Sequence, residues 1–150
     1  MRAHALLLVG VILLSGFAKR SIEDVLPSYS KAYDAAFERL GTLGLADTQT
    51  RIKRMGEKGK AFEKELEELQ RRQHEVNDLI VKSVLQKKQA QADKKPDAPE
   101  VIEAATRILV DADAKAVRVH ADITRFNERL TAAGAPVIPP SPPRDSNARD

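Results

Sequence analysis

A chain of 150 residues with 42% hydrophobic and 31% charged residues, only 4% aromatics and no Trp has material for one modest core, and little for a sandwich or barrel. The absence of Cys excludes disulfide-stapled scaffolds, cysteine catalysis and thiolate-ligated zinc. A net charge of +3 is too small to demand a polyanion, so no nucleic acid is expected as a partner.

Residues Met1 to Ala18 read as a signal peptide: Arg2 gives the positive start, Ala5 to Leu14 the apolar stretch, and Gly16-Phe17-Ala18 a small-x-small cleavage site. A membrane anchor would need roughly 20 apolar residues, and this stretch meets Lys19-Arg20 first. Secretion without a stable membrane anchor is the expectation, with a helical domain over 19–135 and a tail over 136–150. Lys19-Arg20 is either a charged start to the mature chain or a dibasic processing site.

The first helix is expected after Pro27, with Ser28 as N-cap. Tyr29, Ala32, Tyr33, Ala36, Phe37 and Leu40 then share one apolar face, and Gly41 and Gly44 end the helix by taking positive φ. This short aromatic face is expected to dock across the end of the other helices. A second helix is predicted without interruption from Asp47 as N-cap to about Gln91, across Gly56 and Gly59. Its seam, Ile52, Met55, Gly59, Phe62, Leu66, Leu69, Gln73, Val76, Ile80 and Ser83, alternates spacings of three and four as a heptad does. Glu67 with Arg71, Glu68 with Arg72 and Asp78 with Lys82 form acid-before-base pairs on its outer surface.

After the polar break at Ala92 to Pro96, Asp97 as N-cap and Glu100 three residues on set up the third helix. Its seam runs Ile102, Ala105, Leu109, Ala112, Ala116, Val119, Ile123, Phe126, Leu130 and Ala133 before Gly134 and Pro136. A short link makes the two long helices antiparallel neighbours. Folding at Lys95 sets Ile80 level with Leu109, Val76 with Ala112, Gln73 with Ala116, Leu69 with Val119, Leu66 with Ile123 and Phe62 with Phe126. The fold class is all-α: a short N-terminal helix plus two long antiparallel amphipathic helices, as a helical hairpin or three-helix bundle. Each seam of the hairpin is half exposed until the first helix, a second copy or a ligand covers it. The tail PVIPPSPPRDSNARD is too rich in Pro and too poor in apolar residues to pack, and is expected to be disordered.

The candidate chemistry is thin. Pro139 to Arg144 fits P-x-x-P-x-R, a pattern read by aromatic grooves, on a tail whose composition explains it. Asp111, Asp113 and Asp122 suggest a calcium loop, but Ala116 stands where Gly is needed and Lys115 where an oxygen ligand is needed. His74 and His120 would approach each other in the hairpin register, yet two ligands do not make a zinc site. Arg51, Lys53, Arg54, Lys58 and Lys60 form a basic stretch diluted by Glu57, Glu63 and Glu65. Neither a metal nor a cofactor is called for, and no nucleophile or nucleotide pattern suggests an enzyme. The one ligand site with content is the seam's thin middle, Gln73, Val76, Ala112 and Ala116 with Ala105. There the helices either approach closely or leave a cleft for an apolar ligand.

Leu26-Pro27, a short aromatic helix with Tyr33 and Phe37, long charged helices without Cys and a leader together resemble the small secreted SXP/RAL proteins of nematodes, over Ser21 to Ala133. That resemblance implies an all-helical secreted antigen with a cation-binding role and binding of small ligands. Apolipoprotein-like lipid carriers are the next nearest class. The expected function is a secreted, non-enzymatic binding or interaction protein. The alternatives are an apolar-ligand or lipid carrier using the seam, and a structural coiled-coil dimer that self-associates through it.

Overall fold

Residues 19–139 are described in a computed structural model of the chain; the expected leader and residues 140–150 of the tail lie outside them. Ser21 and Asp24 open the first helix as a capping box: the Asp24 carboxylate accepts the Ser21 N–H at 2.8 Å and the Ser21 hydroxyl accepts the Asp24 N–H at 3.3 Å. Helix α1 therefore spans Ile22–Gly41 and contains Pro27, instead of beginning with Ser28 as N-cap. Pro27 is tolerated because the carbonyl it deprives of a donor belongs to Glu23 in the exposed first turn, where water can satisfy it. At the other end, neither Gly41 nor Gly44 takes positive φ. The terminus closes instead on Thr42, whose hydroxyl donates to the Arg39 carbonyl at 2.6 Å.

The second helix is two helices. Helix α2 covers Ala46–Arg54, a single 3-10 turn covers Gly56–Gly59, and α3 covers Lys60–Asp93. Gly56, at φ +59, reverses the chain, a conformation that costs a residue with a side chain. At Gly59 the backbone presses so closely on the Ile52 carbonyl that a Cβ would overlap it, which holds α2 folded back against α3. The N-cap of α2 is Leu45, with no side-chain bond, and Asp47 sits in its first turn.

Helix α4 spans Ala98–Ala132 and starts at Asp97 as expected, although the Asp97 side chain makes no capping bond. It ends in a Schellman motif: Gly134 is left-handed at φ +86, Ala135 N–H donates to the Leu130 carbonyl at 2.9 Å, and Gly134 N–H donates to that of Thr131 at 3.0 Å. This places Ala135 in the core and leaves Ala133, the last residue of the expected seam, exposed.

The two long helices, each about 51–53 Å at 1.5 Å per residue, pack antiparallel in the predicted register. Phe62 meets Phe126 edge to face at 5.9 Å near one end, and the Ser83 hydroxyl donates to the Ala105 carbonyl at 2.8 Å near the other. Helix α1 does not cross the end of this hairpin. It lies along it, chiefly on α4, tied by Arg20 to Glu103 and by Arg39 to Asp113 at 3.1 Å. Helix α2 carries the same line onward, with Thr48 bonded to Asn127 at 2.9 Å, so α1 and α2 together form one interrupted stave of an all-α three-helix bundle. Val25, Tyr29, Ala36, Leu43, Leu45 and Ile52 from that stave cover the seams, and a core of 22 buried apolar residues runs the length of the bundle.

Candidate functional site

The thin middle of the seam is shut. Val76, Ala112 and Ala116 have no solvent exposure, and neither do Ala105 and Leu109 beside them. Facing alanines let two helix backbones approach closely, and Leu43 from the linker after α1 is itself fully buried in the same core. Gln73, the one polar residue of the four, is partly buried and donates its amide Nε2–H to the Leu43 carbonyl at 2.8 Å. It thereby satisfies a backbone group where the stave is interrupted and no helical donor is available.

The interior polar groups nearest the seam are similarly committed. Ser83 is completely buried, and its Oγ gives its short bond to the Ala105 carbonyl while standing 3.5 Å from the Tyr29 hydroxyl. Burial pushes the Tyr29 phenol above its ordinary 10.0, opposed by the Ser83 bond, and the Lys87 ammonium lies 5.0 Å from the ring centroid. Tyr29, Tyr33 and Phe37 stack in sequence at 6.5 and 5.7 Å along α1, from the buried end to a Phe37 that is 58% exposed.

The other candidates are dispersed among structural contacts. Asp111 pairs with Lys115 at 3.6 Å, Asp113 accepts from Arg39, and Asp122 accepts from Arg72 at 2.7 Å and Arg125 at 2.9 Å. Arg72 thus crosses to α4 rather than pairing with Glu68. Glu68 instead takes Arg71, whose hydrogen bond holds the carboxyl below its usual range. His74 and His120 are exposed, and the His74 ring Nδ1 lies 2.9 Å from the Gln70 carbonyl of its own helix. Among the described residues no three His, Cys, Asp or Glu gather as a metal site, and no helix is long and apolar enough to cross a membrane.

The basic stretch divides by role. Arg51 reaches across to α4 and to the segment just beyond its end: its guanidinium donates to Thr131 Oγ1 at 2.7 Å, the Pro136 carbonyl at 3.0 Å and Asn127 Oδ1 at 3.4 Å. With Thr48 this makes a polar clasp holding α2 to the end of α4. No periodicity in the sequence marks the clasp, because its members lie 76 to 85 residues apart. Lys60 pairs with Glu57 at 2.8 Å, and Lys53 and Arg54 remain exposed.

Among the open clefts of the described residues are two at the end of the bundle where α1 and α4 start. One of about 520 Å³ lies between the starts of α1 and α4, lined by Arg20, Asp24, Ser28, Glu103 and Arg107. The other, about 250 Å³, sits at the α3–α4 turn, where the Gln86 Oε1 is buried without a partner. Large apolar side chains remain outside: Phe37, Val81, Leu85, Val110 and Val117 are between 45% and 61% exposed.

No family model, no curated protein and no solved structure matches the chain.

Proposed function

We propose that this chain is a secreted, non-enzymatic helical interaction protein that works through its outer faces; its layout resembles that of the SXP/RAL-type proteins. The observation that carries the reading is the closed seam. Val76, Ala112 and Ala116 are sealed from solvent by helix packing, whereas Phe37, Leu85 and Val110 stand about 60% exposed on the surface. Buried apolar surface stabilises a fold, and exposed apolar surface is free to bind. The interior hydroxyls and amides of Ser83, Thr48 and Gln73 are occupied by structural hydrogen bonds, which supports a role without reaction chemistry.

A carrier of lipid or another apolar ligand would have to part α1 from α4 to reach the seam, breaking the Arg39–Asp113 tie and exposing Ala36 and Tyr29. Native mass spectrometry of the chain purified from a eukaryotic secretion host separates the two readings. Bare polypeptide mass, as monomer or multiple, is the result expected. Copurified lipid mass that is lost in Ala112→Phe while the helical signal is retained would instead establish the carrier.

A further inference from the structure

Helix α4 carries a second apolar seam on its outside. Val110, Ala114, Val117 and Ala121 follow one another at spacings of four, three and four, the same rhythm as the inner seam, about two fifths of a turn away from it. All four are exposed, Val110 at 60% and Val117 at 45%. The stripe is bounded by Arg107 before it and Thr124 after it, and Asp111, Arg118 and Arg125 line the flank turned away from α1.

We propose that this outer seam is a self-association surface, on which α4 of a second copy of the chain lies antiparallel. The inference deepens the outer-face reading above and takes its partner to be the chain itself. Complementarity selects both the partner and the direction. With a two-fold axis between Ala114 and Val117, Val110 faces the partner's Ala121 and Ala114 faces the partner's Val117, and both layers recur by symmetry. A large side chain thus meets a small one in every layer. A parallel pairing would set Val on Val and Ala on Ala, leaving alternate layers crowded and empty. The same antiparallel register puts Asp111 on the same flank as the partner's Arg118 and two residues from its level, twice, so the carboxylate that meets Lys115 of its own helix at 3.6 Å also faces a partner guanidinium. An isologous contact of this kind closes at two copies. From Val110 to Ala121 the stripe is only about 17 Å long at 1.5 Å per residue, so the dimer is a weak one that forms in the micromolar range or above.

Sedimentation equilibrium of the chain purified from a secretion host, from about 1 μM to 500 μM, tests this. A monomer–dimer equilibrium is expected, with Val117→Asp weakening it about tenfold or more while circular dichroism and the melting temperature hold, since Val117 is half in solvent already. Asp111→Arg should weaken the dimer likewise, and the charge swap Asp111→Arg with Arg118→Asp should restore it. A spin label on Arg125→Cys reads direction: roughly 30 Å between copies for the antiparallel pairing against ~10 Å for a parallel one. A monomer throughout the range, a dimer untouched by Val117→Asp, or a short label distance would each overturn the proposal. A monomer of bare polypeptide mass would leave the outer-face reading standing, whereas a dimer carrying lipid would overturn that reading and keep the self-association.

Discussion

At single residues the fold is held by close approach and by buried polar groups with little room for error. Gly59 is the tightest case: a methyl there would overlap the Ile52 carbonyl oxygen and come within 3.1 Å of its carbon, both backbone atoms that cannot swing aside. Gly59→Ala should therefore cost about 1–3 kcal/mol, as overpacking does. Gly44→Ala, with open space around it and ordinary φ, should be neutral or slightly stabilising. Urea denaturation of the two variants side by side makes the comparison. Tyr29 is the second case. Burial disfavours its phenolate, so the folded chain holds the proton more tightly than the unfolded chain. The stabilisation this contributes is complete below the ordinary phenol value of 10.0 and disappears as the pH rises through the higher folded value. In a Tyr33→Phe variant, which leaves a single phenol, absorbance at 295 nm should titrate above 10.0 and the helical signal should weaken over the same interval.

Among the elements, α2 depends most on a few side chains, since only Thr48 and Ile52 of its nine residues are buried. A helix that short does not persist alone in water, and the Arg51 clasp supplies what its apolar face lacks. Arg51→Ala should destabilise the chain by about 1–3 kcal/mol, the cost of leaving partly buried acceptors without their donor. A double-mutant cycle with Asn127→Ala should recover part of that loss. The long helices were legible in the sequence because each carries a phase: Leu66 to Ser83 and Ile102 to Leu130 keep a three-four rhythm that only helices pairing lengthwise can use. The break before α3 was hidden by that same rhythm. Ile52, Met55, Gly59 and Phe62 remain in phase across it, and the reversal resides in the positive φ of Gly56, which periodicity does not encode. The true start of α1 was masked by Pro27, which stands in the second turn, where the one carbonyl it deprives of a donor is that of Glu23 in the exposed first turn. Of the proposed seam site, the register that places Val76 by Ala112 could be read from spacing. The closure over it depends on Leu43, in a linker with no pattern of its own.

For the whole molecule, stability is distributed along one core shared by three staves, so a charge placed at its centre should have no local remedy. Leu69 is 3% exposed between the hairpin helices. Losing that side chain costs about 2–5 kcal/mol, and an unpaired carboxylate adds its own desolvation, against a total of about 5–15 kcal/mol for a typical domain. Leu69→Asp should therefore abolish the helical signal, and an unchanged spectrum would refute the bundle. The interrupted stave gives this rod unequal ends. Near the α3–α4 turn the chain is held by α1, which buries Val25, Tyr29 and Ala36, while at the opposite end closure rests on α2 and the Arg51 clasp. Amide protons of α2 should therefore exchange with solvent well before those of α3 and α4, through an opening that releases nine residues and leaves the remaining core intact. In mechanical terms the rod is a case latched at one end, with Arg51 and Thr48 as the latch, and opening is expected to begin there.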